Sequence, residues 1–223
     1  MADAPNGGAV PQPTPGLSDE PATELLLIRH GRSADFVPGT ALTAGLPLHP
    51  IGVEQAAKLA QRLAHKHIDA IYSSTLPRAI QTAEPLAAAR SLDIEQVSEI
   101  REIELGEWDN GEFRRRAAAK DPEWLAWSRT GRWDGIPGAE TDEGFRRRVT
   151  VAIDEIAAAH RQQTVAVVCH SGVIGAYVAS IFGVHRTVFF ICENTSVTVV
   201  RVTDHGRVLV TLGDCNHLYD PVL

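Results

Sequence analysis

Short apolar segments alternate with helical patterns along most of this chain, and that alternation is what most constrains its fold. Residues 25–28 and 164–169 are apolar runs with the length of a strand buried on both faces. Apolar residues recur at helical spacing from residue 50 and again over 141–160. Strands that alternate with helices predict an α/β fold with a mostly parallel sheet.

The same patterns predict the other elements. These are strands over 68–72 and 94–97, helices over 77–86 and 172–182, and a hairpin of 196–202 with 207–212. The hairpin should add an antiparallel edge to the sheet. Residues 104–140 are expected to be irregular or short-helical, and they hold all four tryptophans.

Length and composition favour one domain. The chain has 223 residues, of which 44% are hydrophobic, and this is enough for one full-sized core. Residues 1–22 are rich in Pro, Gly and Ala without periodicity, so we expect a disordered tail before a single domain over 23–223. The chain lacks an apolar stretch of the ~20 residues that span a membrane, and its start lacks a signal-peptide pattern. We therefore expect a cytoplasmic protein.

Charge narrows the class of partner. The net charge of -7 argues against a nucleic-acid partner, whose phosphate backbone requires a basic surface. A small phosphorylated ligand needs only a local cluster of cations, so it stays open. The three cysteines are sparse and odd in number, which argues against a disulfide framework.

Polar residues follow three of the predicted strands at the point where each strand ends. Arg29 and His30 follow the first strand, Arg78 lies just beyond the second, and His170 follows the strand over 164–169. In α/β sheets, ligands bind at the carboxyl ends of parallel strands. We therefore expect these four side chains to converge in one electropositive pocket.

Two histidines and two arginines suit phosphoryl transfer. The transferred group carries negative charge on three oxygens, and its transfer is catalysed mainly by positioning and electrostatic stabilisation. A neutral imidazole can attack phosphorus and form a covalent intermediate. A proton donor is also needed, and the sequence offers four candidates without choosing among them: Glu99, Glu102, Glu104 and Glu107.

Other enzyme classes fit less well. Ser171 lies between a strand and a helix, as a hydrolase nucleophile would, but Cys169 and Val173 stand where that motif has glycines. The histidines form no His-Glu-x-x-His pattern, so we expect no metal site.

Four segments in order resemble the motifs of the histidine phosphatase, or phosphoglycerate mutase-like, superfamily. They are 26–31, 73–83, 100–108 and 167–172, within a resemblance that spans roughly 24–220. The resemblance implies a three-layer α/β/α sandwich and no metal or other cofactor. It also implies that His30 is the nucleophile and that Arg29, Arg78 and His170 bind the phosphoryl group. Glu102 would be the proton donor.

The chain departs from the family pattern beside the nucleophile. Arg32 stands where the family commonly has Glu or Gln, and Phe36 stands where it commonly has Asn. We expect Arg32 and Ser33 to be substrate contacts. Arg32 would either add a cation at the pocket mouth or point to solvent. These departures affect the choice of substrate more than the class of reaction.

The resemblance favours a phosphatase that acts on a small phosphorylated metabolite. Residues 105–108 continue the acid motif as in phosphatases, and a longer insertion typical of phosphoglycerate mutases is missing before His170. Mutase-type transfer and a silent phosphate-binding relative are the alternatives. A homodimer formed through the edge hairpin is a further expectation.

Overall fold

The computed structural model describes residues 20–37, 45–186, 188–190 and 192–219. Its strands are β1 (Thr23–Arg29), β2 (Ala70–Ser74), β3 (Ile94–Val97), β4 (Thr164–Cys169), β5 (Val197–Thr203) and β6 (Gly206–Asp214). Its helices are α1 (Pro50–Arg62), α2 (Pro77–Ala88), α3 (Glu112–Ala119), α4 (Pro122–Thr130), α5 (Asp142–Ala159) and α6 (Ser171–Phe182). The expected disordered tail, 1–22, lies outside these residues except at its last three positions.

All six strands form one sheet in the order β3-β2-β4-β1-β5-β6. The first four strands in this order pair in parallel, whereas β5 runs antiparallel to both β1 and β6. The prediction of a mostly parallel sheet with an antiparallel edge hairpin is confirmed.

Strand β1 shows why the sheet carries a helical layer on each face. Its side chains alternate between the faces. Leu26 and Ile28 join a core with α1 and α2, while Leu25 and Leu27 join a core with α5 and α6. Since both faces of β1 are apolar, the sheet is stable only when helices cover both.

Residues 104–140 form a cap segment beside the carboxyl ends of the strands, and it contains α3 and α4. Neither helix buries a residue fully. The segment is held together by aromatic contacts, with the rings of Trp127 and Trp133 4.7 Å apart and those of Phe113 and Trp127 4.9 Å apart. The expectation of short-helical structure here is confirmed.

The outer face of β6 is apolar and exposed, at Val208, Val210 and Leu212. Such an edge strand is able to pair with another chain, and the homodimer stays a prediction. Within the described residues, no helix combines the length and the apolar character needed to cross a bilayer.

Helix α1 packs with its backbone directly against the chain that follows β1. His49 caps the helix, since its Nδ1 accepts from the Ile51 amide at 3.2 Å. A Cβ atom on Gly52 would lie 2.2 Å from the Arg32 carbonyl oxygen, and one on Gly31 would lie 2.7 Å from the Gly52 carbonyl oxygen. Two glycines are therefore required where α1 fixes the position of the residues after His30.

We predict that Gly52→Ala lowers the free energy of unfolding by roughly 1–3 kcal/mol, the usual range for overpacking, because backbone atoms cannot make room for the methyl group. Urea unfolding measures the change. Gly135→Ala is the matched control, since a Cβ atom there meets nothing within 4 Å. Equal stability of the two variants would contradict this packing.

Candidate active site

The carboxyl ends of three parallel strands bring the expected residues together. Arg29 ends β1 and His30 follows it, Arg78 lies in the first turn of α2 just beyond β2, and His170 lies between β4 and α6. The rings of His30 and His170 lie 5.1 Å apart between centroids. Arg29, His30, Arg78 and Glu102 line a cavity of about 840 Å³, while His170 is buried beside it.

His30 is held as a neutral imidazole with one ring nitrogen available. Its Nδ1 lies 2.6 Å from the Gly31 carbonyl oxygen, which can only accept, so Nδ1 carries the hydrogen. Nε2 then holds the lone pair and accepts from the Nε of Arg78 at 3.2 Å. Burial, followed by the charges of Arg78 and Arg29, holds the pKa of His30 well below its usual range. The nucleophilic form is therefore present at neutral pH.

Backbone contacts fix the position of His30. Its amide donates to the Cys169 carbonyl at 3.0 Å, and its carbonyl accepts from the Asn194 side chain at 2.8 Å. The Gly31 amide donates to Thr82 Oγ1 at 2.9 Å, and the same hydroxyl donates to the Arg78 carbonyl at 2.6 Å. Thr82 thus ties the nucleophile loop to the first turn of α2, a role that sequence reasoning missed.

His170 presents one nitrogen without a partner. Its Nε2 lies 2.9 Å from Ser74 Oγ, whereas Nδ1 is buried and meets no hydrogen-bond partner within the described part of the chain. Burial, followed by the charge of Arg78, holds the pKa of His170 well below its usual range. A buried polar atom without a partner suits a ligand group that completes its hydrogen bonding.

The two arginines are largely buried cations. Arg29 donates to the Cys192 carbonyl through Nη1, while its Nε has no partner among the described residues. Burial lowers the pKa of both Arg29 and Arg78, and the nearby Glu102 charge opposes the shift. Guanidinium groups remain protonated in proteins, so the cavity holds two positive charges that face an anion.

The structure separates the four candidate acids. Glu102 and Glu104 line the cavity, whereas Glu99 and Glu107 are not part of its lining. The Glu102 carboxylate accepts from the Gly172 amide at 3.2 Å, at the start of α6. A Cβ atom on residue 172 would lie 2.3 Å from Glu102 Oε1, so a glycine is needed there.

The two expected substrate contacts lie in different surroundings. Arg32 is 44% exposed in its side chain, lies 3.8 Å from Asp35, and is not part of the cavity lining. Of the two readings of Arg32, the structure favours the one in which it points to solvent. Ser33 is buried, lines the cavity and accepts from Arg114 Nη2 at 3.0 Å.

Arg114 is a cation of the site that the sequence did not distinguish from the two arginines that follow it. It belongs to a run of three arginines on α3, of which Arg115 and Arg116 pair with Glu112. Arg114 instead reaches Ser33 and adds to the positive charge felt by His30. Glu112 precedes Arg115 and Arg116 by three and four residues, the spacing at which side chains pair on a helix. This spacing was the signal in the sequence that separates Arg114 from the other two arginines.

A sequence model described as the histidine phosphatase superfamily (branch 1) matches residues 25–215. The chain belongs to this superfamily. The match covers every strand but the start of β1, together with all the site residues described above.

Known proteins agree with this assignment. The chain is 32% identical to phosphoserine phosphatase 1 of Hydrogenobacter thermophilus over 199 residues, which are 87% of this chain and 94% of the relative. The solved structure of Bacillus stearothermophilus YhfR is 28% identical with a TM-score of 0.77, over 88% of this chain and all of that one. The structure of phosphoglycerate mutase from Bacillus anthracis is 26% identical with a TM-score of 0.73, over 90% of this chain and 96% of that one. The chain is accordingly a phosphatase of the histidine phosphatase family.

We predict that stability falls as the pH drops below about 6.5, the ordinary pKa of histidine. His30 and His170 have lowered pKa values in the folded state, so the unfolded chain binds protons that the folded chain does not. Stability therefore rises with pH through this window. Each such histidine adds at most about 1.4 kcal/mol per pH unit to the slope. Urea unfolding between pH 7.5 and 5.5 measures the slope of the unfolding free energy against pH, which should be shallower for His170→Gln. A slope equal to that of wild type would contradict the burial of a neutral His170.

Proposed function

We propose that this phosphatase hydrolyses phosphate monoesters of small metabolites through a phosphohistidine formed at His30. The main support for the proposal is the hydrogen bonding of the two ring nitrogens of His30. Its Nδ1 hydrogen is engaged by Gly31, so the lone pair of Nε2 is directed to the side where Arg78 lies. A neutral imidazole in a pocket of cations is suited to attack a phosphoryl group.

Binding of the phosphoryl group follows from the cations. Arg29 and Arg78 offset the two negative charges of a phosphate monoester, and the unpaired Nδ1 of His170 is available to one of its oxygens. When the ester binds, the guanidinium of Arg78 shifts its donation from His30 Nε2 to a phosphoryl oxygen. The lone pair is then free to attack phosphorus in line with the departing oxygen.

Two proton transfers complete the turnover. Nε2 forms a bond to phosphorus as the ester P–O bond breaks, and Glu102 in its protonated form gives its proton to the alcohol oxygen. The resulting carboxylate then takes a proton from a water molecule that attacks the phosphohistidine. Inorganic phosphate leaves, and both His30 and Glu102 return to their starting forms. None of these steps needs a metal ion or another cofactor.

Mutase-type transfer is the second candidate, because a phosphoglycerate mutase shares the fold and 26% of its residues with this chain. The same phosphohistidine would then pass its phosphoryl group to a second hydroxyl instead of water. Hydrolysis is preferred because the chain is more similar to phosphoserine phosphatase 1, at 32% identity, than to this mutase. The ratio of released phosphate to transferred phosphate separates the two.

We predict that quenching in alkaline detergent during turnover of a ³²P-labelled ester traps an acid-labile, base-stable phosphate on the protein, at most one per chain. His30→Ala should trap none. His65→Gln, which replaces an exposed histidine in the turn after α1, is the control and should trap the same amount as wild type. Labelling that persists in His30→Ala would contradict the assignment of the nucleophile.

We further predict that Glu102→Gln affects esters according to their leaving groups. For an alkyl phosphate, kcat/KM should fall by roughly 10²–10⁴-fold, the usual contribution of a positioned acid. For 4-nitrophenyl phosphate the loss should be far smaller, because nitrophenolate leaves without a proton.

Glu104→Gln is the matched control, since it removes another carboxylate of the same cavity. It should leave the ratio of the two esters unchanged. Gly172→Ala should reproduce the Glu102→Gln pattern in weaker form, because the added methyl group displaces the acid. Equal losses for both esters in Glu102→Gln would assign this glutamate a role in binding instead of proton transfer.

A further inference from the structure

The cavity is much larger than the phosphoryl group that its cations bind. Its volume is about 840 Å³, near the upper part of the roughly 300–1,000 Å³ typical of sites for drug-sized ligands. The phosphate-binding residues occupy the end formed by the strands. The remainder of the cavity extends under the cap segment, and its lining indicates what it accommodates.

That remainder is lined by aromatic side chains. Three of the four tryptophans and three of the six phenylalanines of the chain line the cavity. We name this surface the aromatic wall: Phe36, Phe113, Trp127 and Phe190, which are half-buried, with Trp108 and Trp133 buried behind them.

The wall is not simply the core of the cap segment. Trp108 and Trp133 serve that purpose, being only 4% and 6% exposed. Phe36 comes from the chain after β1, and Phe190 comes from the chain before β5, so both lie outside the cap segment. Side chains from separate segments converge on one cavity and keep part of their ring surface uncovered. Uncovered aromatic surface in a cavity favours an apolar ligand.

The lining also contains charged side chains. Arg101 and Arg114 are its cations besides Arg29 and Arg78. The remaining carboxylates of the lining are Glu104 and Asp109.

We infer that the aromatic wall is the leaving-group subsite and that it takes phosphate monoesters whose alcohol carries an aromatic ring or a similarly flat apolar group. The inference rests on the proposed function and adds the class of substrate to it. In the reaction, the ester oxygen receives the proton of Glu102 and departs as an alcohol whose ring lies against Phe113 and Trp127. Ring burial of this kind supplies binding that a small polar alcohol cannot obtain.

The test compares 2-phenylethyl phosphate with ethyl phosphate, whose alcohols have nearly equal acidity, so the ratio of their kcat/KM values reports binding of the ring. We expect the ring to raise kcat/KM by roughly tenfold or more. Trp127→Ala should reduce that ratio to about threefold or less. Trp124→Ala is the matched control, because Trp124 lies on the same helix but is not part of the cavity lining.

Calorimetry with 2-phenylethylphosphonate and ethylphosphonate measures the same preference without turnover, and Phe113→Ala replaces Trp127→Ala if that variant fails to fold. Turnover of both esters without a preference for the ring would overturn the inference and leave the proposed function intact. Ring-dependent phosphonate binding without turnover of any ester would reject the proposed function and keep the subsite. A preference that Trp127→Ala leaves unchanged would overturn the assignment of the wall.

Discussion

The site depends on one hydrogen bond, from His30 Nδ1 to the carbonyl oxygen of Gly31, 2.6 Å away. This bond selects the ring tautomer and so decides that Nε2 is the nitrogen with a lone pair. It holds only while the backbone of Gly31 keeps its position, which the hydroxyl of Thr82 and the close packing against Gly52 determine. Helices α1 and α2, which pack on one face of the sheet, thus determine which ring nitrogen of His30 carries the hydrogen.

The sheet and the phosphate-binding residues could be predicted because their signals are local. An apolar run ending at Arg29 and His30 places both residues at a strand terminus, and the alternation with helices makes the strands parallel. The choice among the four glutamates could not be made from composition, since it depends on the Gly172 amide 70 residues away. The contact to Ser33 was equally unpredictable from the sequence. Arg114 on α3 makes it, whereas Arg32, the neighbour of Ser33 in the sequence, does not.

The cavity joins two chemically different regions. Its phosphate end is built from strand ends whose positions the sheet fixes. Its far side is built from the cap segment, whose helices bury no residue fully and are held by ring contacts. Half-buried residues of its helices, such as Trp127, face the leaving group, whereas Trp108 and Trp133 also belong to the buried core that contains Leu25 and Leu27. This division explains how one fold can keep a reaction and change its substrates.

The most direct test of the central claim is phosphate release from 4-nitrophenyl phosphate in excess EDTA, with wild type and His30→Ala measured side by side. Wild type should keep its turnover in the chelator. His30→Ala should lose at least about 10³-fold in kcat, as expected when a covalent nucleophile is removed. Loss of wild-type turnover in EDTA, or turnover by His30→Ala close to that of wild type, would contradict a metal-independent phosphatase that acts through this histidine.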